Sequence, residues 1–296
     1  MTISGNRMVY QQVWQPAMNI WRMRGPGYME TRPSATPLMV TTRDDVSMYY
    51  SPDGKRIAFA STRSGFCEIW ICDSDGSKPV QLTDLRRPSG TPRWSPDGKR
   101  IAFDSRPGGD SEIYVINADG GTPQRMTHNA SDDVVPSWSR DGRWIYFTSN
   151  RSGRRQIWKM PSEGGQAVQI TKRGGHDAVE SFDGRSVFYT QPDQTLVTGP
   201  IWKVSREGGD EALILDRALH WTNWTLRPEG IYSSTQIGRK HIIEFLSFQN
   251  GKTTSFFEEE TSDRRGHLEI SPDGQWLLYG SRPPGNSDLM LVENFR

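Results

Sequence analysis

His176, His220 and His267 each fall four to seven residues ahead of a recurring turn motif, in three successive stretches of the chain. Imidazoles that converge on one point can hold a divalent transition metal. Offsets that shift from copy to copy leave histidines apart, so the primary expectation is no bound metal and no cofactor. The three-histidine site stands as the alternative. His128 and His241 fall off this register and read as structural.

Acidic residues occupy the same kind of segment: Asp44, Asp45, Asp132, Asp133 and Asp177. Arginines recur in a second kind of loop, at Arg63, Arg106, Arg151 and Arg282. The bland reading of such a set is a solvated rim of mixed charge. The functional reading is a surface for a protein or peptide, because these loops have Gly and Pro to make their bends and the fold needs neither charge set. Glu180 breaks a pattern, since its equivalents are Tyr50, Trp94, Trp138, Leu226 and Ile270. A carboxylate at an inner position needs a partner. That partner is an arginine or a channel water, unless Glu180 is a working acid. The run Glu258-Glu259-Glu260, facing Arg264-Arg265, reads as a solvated loop.

Other chemistries find no residues. There is no Gly-x-Ser-x-Gly elbow, and no phosphate-binding Gly-Lys loop or His-Glu-x-x-His pair. Asp73-Ser74-Asp75-Gly76 opens like a calcium loop but lacks the later acidic ligands. A hairpin turn explains it fully.

The elements that must position these residues are set by a repeat. Ser51-Pro52-Asp53-Gly54, Ser95-Pro96-Asp97-Gly98, Ser139-Arg140-Asp141-Gly142, Ser181-Phe182-Asp183-Gly184 and Ser271-Pro272-Asp273-Gly274 are plain copies. Arg227-Pro228-Glu229-Gly230 is a worn copy and Ser4-Gly5-Asn6 a faint one. The steps from Ser51 are 44, 44, 42, 46 and 44 residues (95−51, 139−95, 181−139, 227−181, 271−227). A period of ~40–50 residues filled with short strands marks a β-propeller. In one unit, Pro92–Ser95, Arg100–Phe103, Glu112–Ile116 and Thr122–Thr127 read as four strands of one blade, joined by turns.

Third strands give the blade count. Ile20-Trp21, Ile69-Trp70, Ile113-Tyr114, Ile157-Trp158, Ile201-Trp202, Ile242-Ile243 and Leu289-Met290 place two large apolar residues side by side in seven units. Neighbours on a strand face opposite ways, so both sheet faces must be covered. Blades around an axis do that and a two-layer sandwich does not. The expectation is an all-β, seven-bladed propeller of four-stranded antiparallel blades, with six blades as the alternative. The ring is expected to close between a short first blade, with Met1 to Ser4 as its inner strand, and a three-stranded last blade.

The 296 residues read as a single domain, 1–296, because the repeat runs end to end; the weak seam fits a piece of a longer protein. A formal net charge of +1 gives no bulk attraction to nucleic acid or anionic membrane. No apolar run spans a bilayer, and residues 1–28 lack the layout of a signal peptide. Cys67 and Cys72, five apart on one expected strand, point to opposite faces and form no disulfide.

The stretch Trp94-Ser95-Pro96-Asp97-Gly98-Lys99-Arg100-Ile101-Ala102-Phe103, continuing through Glu112-Ile113-Tyr114-Val115 to Arg125-Met126-Thr127, resembles the PD40 repeat. That repeat is a WD40-like unit typical of the propeller of TolB, the periplasmic component of the Tol–Pal envelope system. The resemblance implies a bacterial, scaffold-like binding propeller and a periplasmic location; the lack of a signal peptide implies the cytoplasm. Oligogalacturonate lyases resemble the three-histidine arrangement and imply, as the alternative, a metal-dependent carbohydrate-active lyase or hydrolase. The leading expectation is a non-catalytic, monomeric propeller. It binds a protein or peptide at its axial face, through the loops that lead into the inner strands.

Overall fold

The computed structural model describes residues 2–4, 7–14, 16–26, 34–192 and 198–293. Six four-stranded antiparallel sheets and one three-stranded sheet account for the described strands. Blade one is Asp45–Tyr50, Arg56–Ser61, Glu68–Asp73 and Val80–Gln81. Blade two is Ser89–Trp94, Arg100–Ser105, Glu112–Asn117 and Gln124–Arg125. Blade three is Asp133–Trp138, Trp144–Ser149, Gln156–Pro161 and Val168–Gln169. Blade four is His176–Glu180, Ser186–Thr190, Thr198–Ser205 and Ala212–His220. Blade five is Trp224–Arg227, Gly230–Ile237, Lys240–Ser247 and Thr253–Glu260.

Blade six is made from both ends of the sequence. Its inner strands are Arg264–Ile270 and Trp276–Arg282, and its outer strands are Asn19–Arg24 and Thr36–Met39. The propeller therefore has six blades, which corrects the count of seven. Ile20-Trp21 is the third strand of the last blade, paired with Gly280 and Tyr279. Leu289-Met290 belongs to no blade: it pairs with Gln11 and Tyr10 in the separate three-stranded sheet. Nor is Thr2–Ser4 an inner strand, since it folds back onto Arg7–Val9. Gly5 and Asn6 of the faint turn copy lie outside the described residues. Two apolar neighbours signal a strand with both faces covered, but they do not say which sheet the strand joins.

The turn motif folds alike in five blades. Ser95 Oγ donates to Asp97 Oδ1 (2.5 Å) and accepts from the Arg100 N–H (2.9 Å); Asp97 Oδ1 also accepts from the Lys99 N–H (3.1 Å). Ser51, Ser139, Ser181 and Ser271 repeat the arrangement. The serine hydroxyl, then the backbone N–H, holds the Asp97 carboxyl below its usual pKa. Gly98 completes the turn at φ 70°.

Fourth strands are anchored by a threonine. Thr127 Oγ1 accepts from the Ile113 N–H (2.9 Å) and donates to Glu112 Oε2 (2.5 Å). Thr83 with Glu68, and Thr171 with Gln156, repeat this in blades one and three. Between blades the packing is apolar: Tyr49, Ala58 and Ile69 of blade one meet Trp94, Ile101 and Phe103 of blade two. Two inner-strand tryptophans also donate to the preceding blade, Trp94 Nε1 to the Tyr49 carbonyl and Trp138 Nε1 to the Arg93 carbonyl, both at 3.0 Å.

Candidate functional site

Five of the six inner strands carry a bulge where they pair with the second strand. At each bulge one non-glycine residue takes positive φ: Ser47 (53°), Thr91 (47°), Val135 (53°), Asp177 (52°) and His267 (60°). Such a conformation costs about 1–3 kcal/mol per residue and is kept where surrounding structure enforces it. Blade five is the exception, because its inner strand begins only at Trp224 and pairs in register.

Inner-strand side chains from four blades meet at the axis. Arg93 of blade two donates Nη2 to Asp177 Oδ1 of blade four at 2.7 Å. The Arg93 guanidinium lies 3.5 Å from the Tyr49 ring centre of blade one. The Tyr49 ring meets His267 of blade six edge-on at 4.7 Å. Burial raises the Asp177 pKa, against the pull of Arg93. Glu269, half-buried beside this group, has its pKa pushed up to about 7 by desolvation; Arg93, Arg227, the Thr225 hydroxyl and Arg140 oppose the shift.

Glu180 takes the partner its position demands. Oε1 accepts from Tyr146 Oη (2.8 Å) and Oε2 from the Arg140 N–H (2.6 Å), tying blade four to blade three. Asp104, a residue the sequence reading passed over, accepts from Thr91 Oγ1 and from the Val135 N–H.

The aspartates and arginines expected on the lead-in face are there, but they hold one another. Asp45 and Arg63 pair at 2.8 Å, and Asp133 and Arg151 at 2.6 Å, with both aspartates 0% exposed. Arg63 also lies over Phe59 and Trp70, and Arg151 over Phe147 and Trp158. Asp44 accepts from Arg282 (2.8 Å) and from the Met18 N–H (2.7 Å). Asp132 accepts from the Ser111 N–H (3.1 Å) and faces Arg106 at 3.4 Å. The expectation that the fold needs neither charge set is thus overturned: these groups tie strand ends and neighbouring blades together. Repeated loops made the charges recur, and only the pairing shows what they hold. Arg265 likewise pairs with Glu259 at 2.9 Å, and Glu258 to Glu260 end a strand rather than forming a loop.

The histidines separate. His176 is buried with Nε2 3.1 Å from Arg155 Nη1. His220 bonds Thr222 through Nδ1 at 2.8 Å. His267 is buried beside the Met48 backbone, and neither ring nitrogen makes a hydrogen bond of good geometry among the described residues. Burial pushes the pKa of His176 and His267 down to about 3, and lowers that of His220 as well. Among the described residues, no three of His, Cys, Asp or Glu group as metal ligands would. The three positions do not fit a shared metal.

What blade five lacks, a cavity occupies. A recess of about 1260 Å³ opens on the lead-in face around blades five and six. His220 lines it from the end of blade four, Trp221 and Asn223 from the segment leading into blade five, and Arg264 and His267 from the inner strand of blade six. The Trp221 ring stacks on His220 and tilts against His176, with centroids 5.5 and 5.2 Å apart. Arg264 is exposed, and its side chain has no hydrogen bond or ion pair among the described residues. The sequence reading missed Trp221 and the freedom of Arg264. An aromatic in a lead-in segment was the available signal for the first.

This is a six-bladed β-propeller with a plugged axis and an off-axis recess. The model of the PD40 family, the TolB β-propeller domain, matches residues 34–260, and the chain belongs to that family. TolB from Acinetobacter baumannii is similar in structure, with 17% identity and a TM-score of 0.63, over 92% of this chain and 66% of that one. This chain thus spans just under two thirds of that relative. An oligogalacturonate lyase in complex with manganese is similar with 11% identity and a TM-score of 0.55, over 96% of this chain and 99% of that one. A nidogen/laminin complex chain is similar with 9% identity and a TM-score of 0.61, over 92% of this chain and 98% of that one. No curated protein sequence matches the chain significantly. At these identities the likenesses speak for the fold.

Proposed function

We propose that this chain is a non-catalytic binding propeller that takes a protein or peptide segment in the lead-in-face recess. The carrying observation is the convergence there of an aromatic face, Trp221, and a free guanidinium, Arg264. A recess of this size holds several side chains. Folding does not call on Arg264, unlike Arg63 or Arg151.

The oligogalacturonate lyase likeness supplies the competing reading, which the scattered histidines disfavour. The test is selection of peptides from a random display library on the purified chain. Selected peptides should lose binding to Trp221→Ala and to Arg264→Glu while both variants unfold as the parent does. Peptides indifferent to both variants would place binding elsewhere. Lyase turnover of oligogalacturonate on addition of manganese would replace the proposal with the enzyme.

A further inference from the structure

The opposite face, formed by the Ser-x-Asp-Gly turns, is a ring of interlocked turns with one gap. A methyl group on Gly98 would lie 3.7 Å from the Pro52 ring; on Gly142, 3.8 Å from Pro96; on Gly54, 3.5 Å from Pro272. The proline of each turn therefore rests on the glycine of the next, from blade six through blades one and two to blade three. Arg140 continues the ring by lying 3.9 Å from the Phe182 ring centre of blade four. Arg227 of blade five closes it on the far side, donating to the Pro272 carbonyl at 2.8 Å.

Between blades four and five the succession gives way to a cavity of about 500 Å³. The cause is the worn turn. Six residues separate the paired Trp94 and Ile101, whereas four separate their equivalents Leu226 and Ile231, so blade five's turn is two residues shorter (6 − 4).

The walls of this gap are apolar with a cationic edge. Phe182 stands where four other copies, the worn one included, have proline, and is 44% exposed; Phe248 is 42% exposed and stacks on Phe188 at 5.6 Å. Ile214 and Leu226 complete the apolar lining. Lys203 lies 6.0 Å from the Phe188 ring centre, and no carboxylate pairs with it among the described residues. Among the described residues, the Arg227 side chain hydrogen-bonds the Pro272 carbonyl alone. The one lining carboxylate, Asp183, is engaged by the Ser181 hydroxyl and the Arg185 N–H. Two exposed aromatics lining one cavity mark an apolar surface that a partner can cover, and a free ammonium at its edge selects for charge.

We infer that this gap is a second docking site, for a partner's peptide segment that seats one aromatic or leucyl side chain against Phe182 and Phe248 and sets a carboxylate beside Lys203. The charge balance of the wall is what points to an acidic partner rather than to a second copy of this near-neutral chain. The inference stands apart from the recess on the other face, and Trp221 or Arg264 variants should leave it untouched.

The probes are N-acetyl-phenylalanine, which carries the anchor and a carboxylate, and its uncharged amide, titrated against the full chain by NMR. The acid should perturb resonances of the Phe182 and Phe248 turns and bind about threefold better than the amide, as an exposed charge pair allows. Lys203→Glu should erase that preference, and Phe248→Ser should weaken both probes by about tenfold through lost apolar contact. Unfolding curves like the parent's would show that the variants fold. Failing that, Lys203→Gln and Phe182→Pro, which restores the common turn residue, ask the same two questions. Equal binding of acid and amide, no binding, or binding indifferent to these variants would overturn the inference. So would a concentration-dependent dimer abolished by Phe248→Ser, because the chain itself would then be the occupant.

Discussion

Blades two and five are built on the same four-stranded plan but end differently at both faces. Blade two enters its inner strand through a bulge, with Thr91 held at φ 47°, and leaves it by a serine–aspartate-braced turn. Its Arg93 fills the axis. Blade five enters without a bulge and leaves by a two-residue hairpin. Each shortening opens a space: the recess on one face and the gap on the other. The comparison teaches that the repeat's decorations are mostly scaffold, and that candidate sites lie where they are missing.

The sharpest way to break this comparison is to attack the scaffold role of the charges. Asp133→Ala leaves the half-buried Arg151 without its carboxylate. It should cost about 3–5 kcal/mol, as loss of one member of a buried pair does, read as a drop in the denaturant midpoint. A loss of partner binding with unchanged stability would instead return these residues to the surface role first expected of them.

A second effect is a pH dependence at the axis. The folded pKa of Glu269 is raised to about 7 from 4.5. Between those values the folded state keeps a proton that the unfolded chain has released, so this group lowers stability as pH rises through that window. His267, lowered to about 3 from 6.5, acts the other way: its contribution increases as pH rises from 3 to 6.5. Glu269→Gln should therefore remove a falling component between pH 5 and 7, and the variant's denaturant midpoint should gain on the parent's as pH rises. Parallel curves would show that Glu269 is already ionised in the fold.

Smaller effects compare the turns. Ser95→Ala removes a hydroxyl that both donates and accepts, and should cost about 1 kcal/mol. Phe182→Pro gives blade four the residue of blades one, two and six, and should gain about 0.5 kcal/mol through a stiffer unfolded chain. A loss on Phe182→Pro would mean that the phenylalanine braces the ring through Arg140. The smallest change is expected at the recess, where Arg264→Glu should move stability by no more than about 0.5 kcal/mol, as exposed sites do.

Much of this fold was legible in the sequence because turn chemistry is local. Ser-x-Asp-Gly closes its own hydrogen bonds within six residues, so its spacing reveals the blades directly. Covered strands also reveal themselves, since Ile113-Tyr114 needs apolar neighbours on both faces whatever they are. Glu180 was readable as a residue in need of a partner, though not as the acceptor of Tyr146 and the Arg140 N–H.

Tertiary structure decided what depends on residues far apart in the chain. Whether Leu289-Met290 or Ile20-Trp21 completes the last blade is a choice between strands with the same local pattern, and ring closure makes it. Asp45 and Arg63 recur as charges in sequence, and only folding places them in an ion pair that excludes water. Trp221 and Arg264, 43 residues apart (264−221), share the recess because blade five starts late and Arg264 opens the inner strand of the next blade. By itself the sequence determined a propeller of braced turns, since each turn's hydrogen bonds are made within the turn. The number of blades, the structural use of the charges and the two open spaces were decided by the ring, because each arises where one blade meets the next.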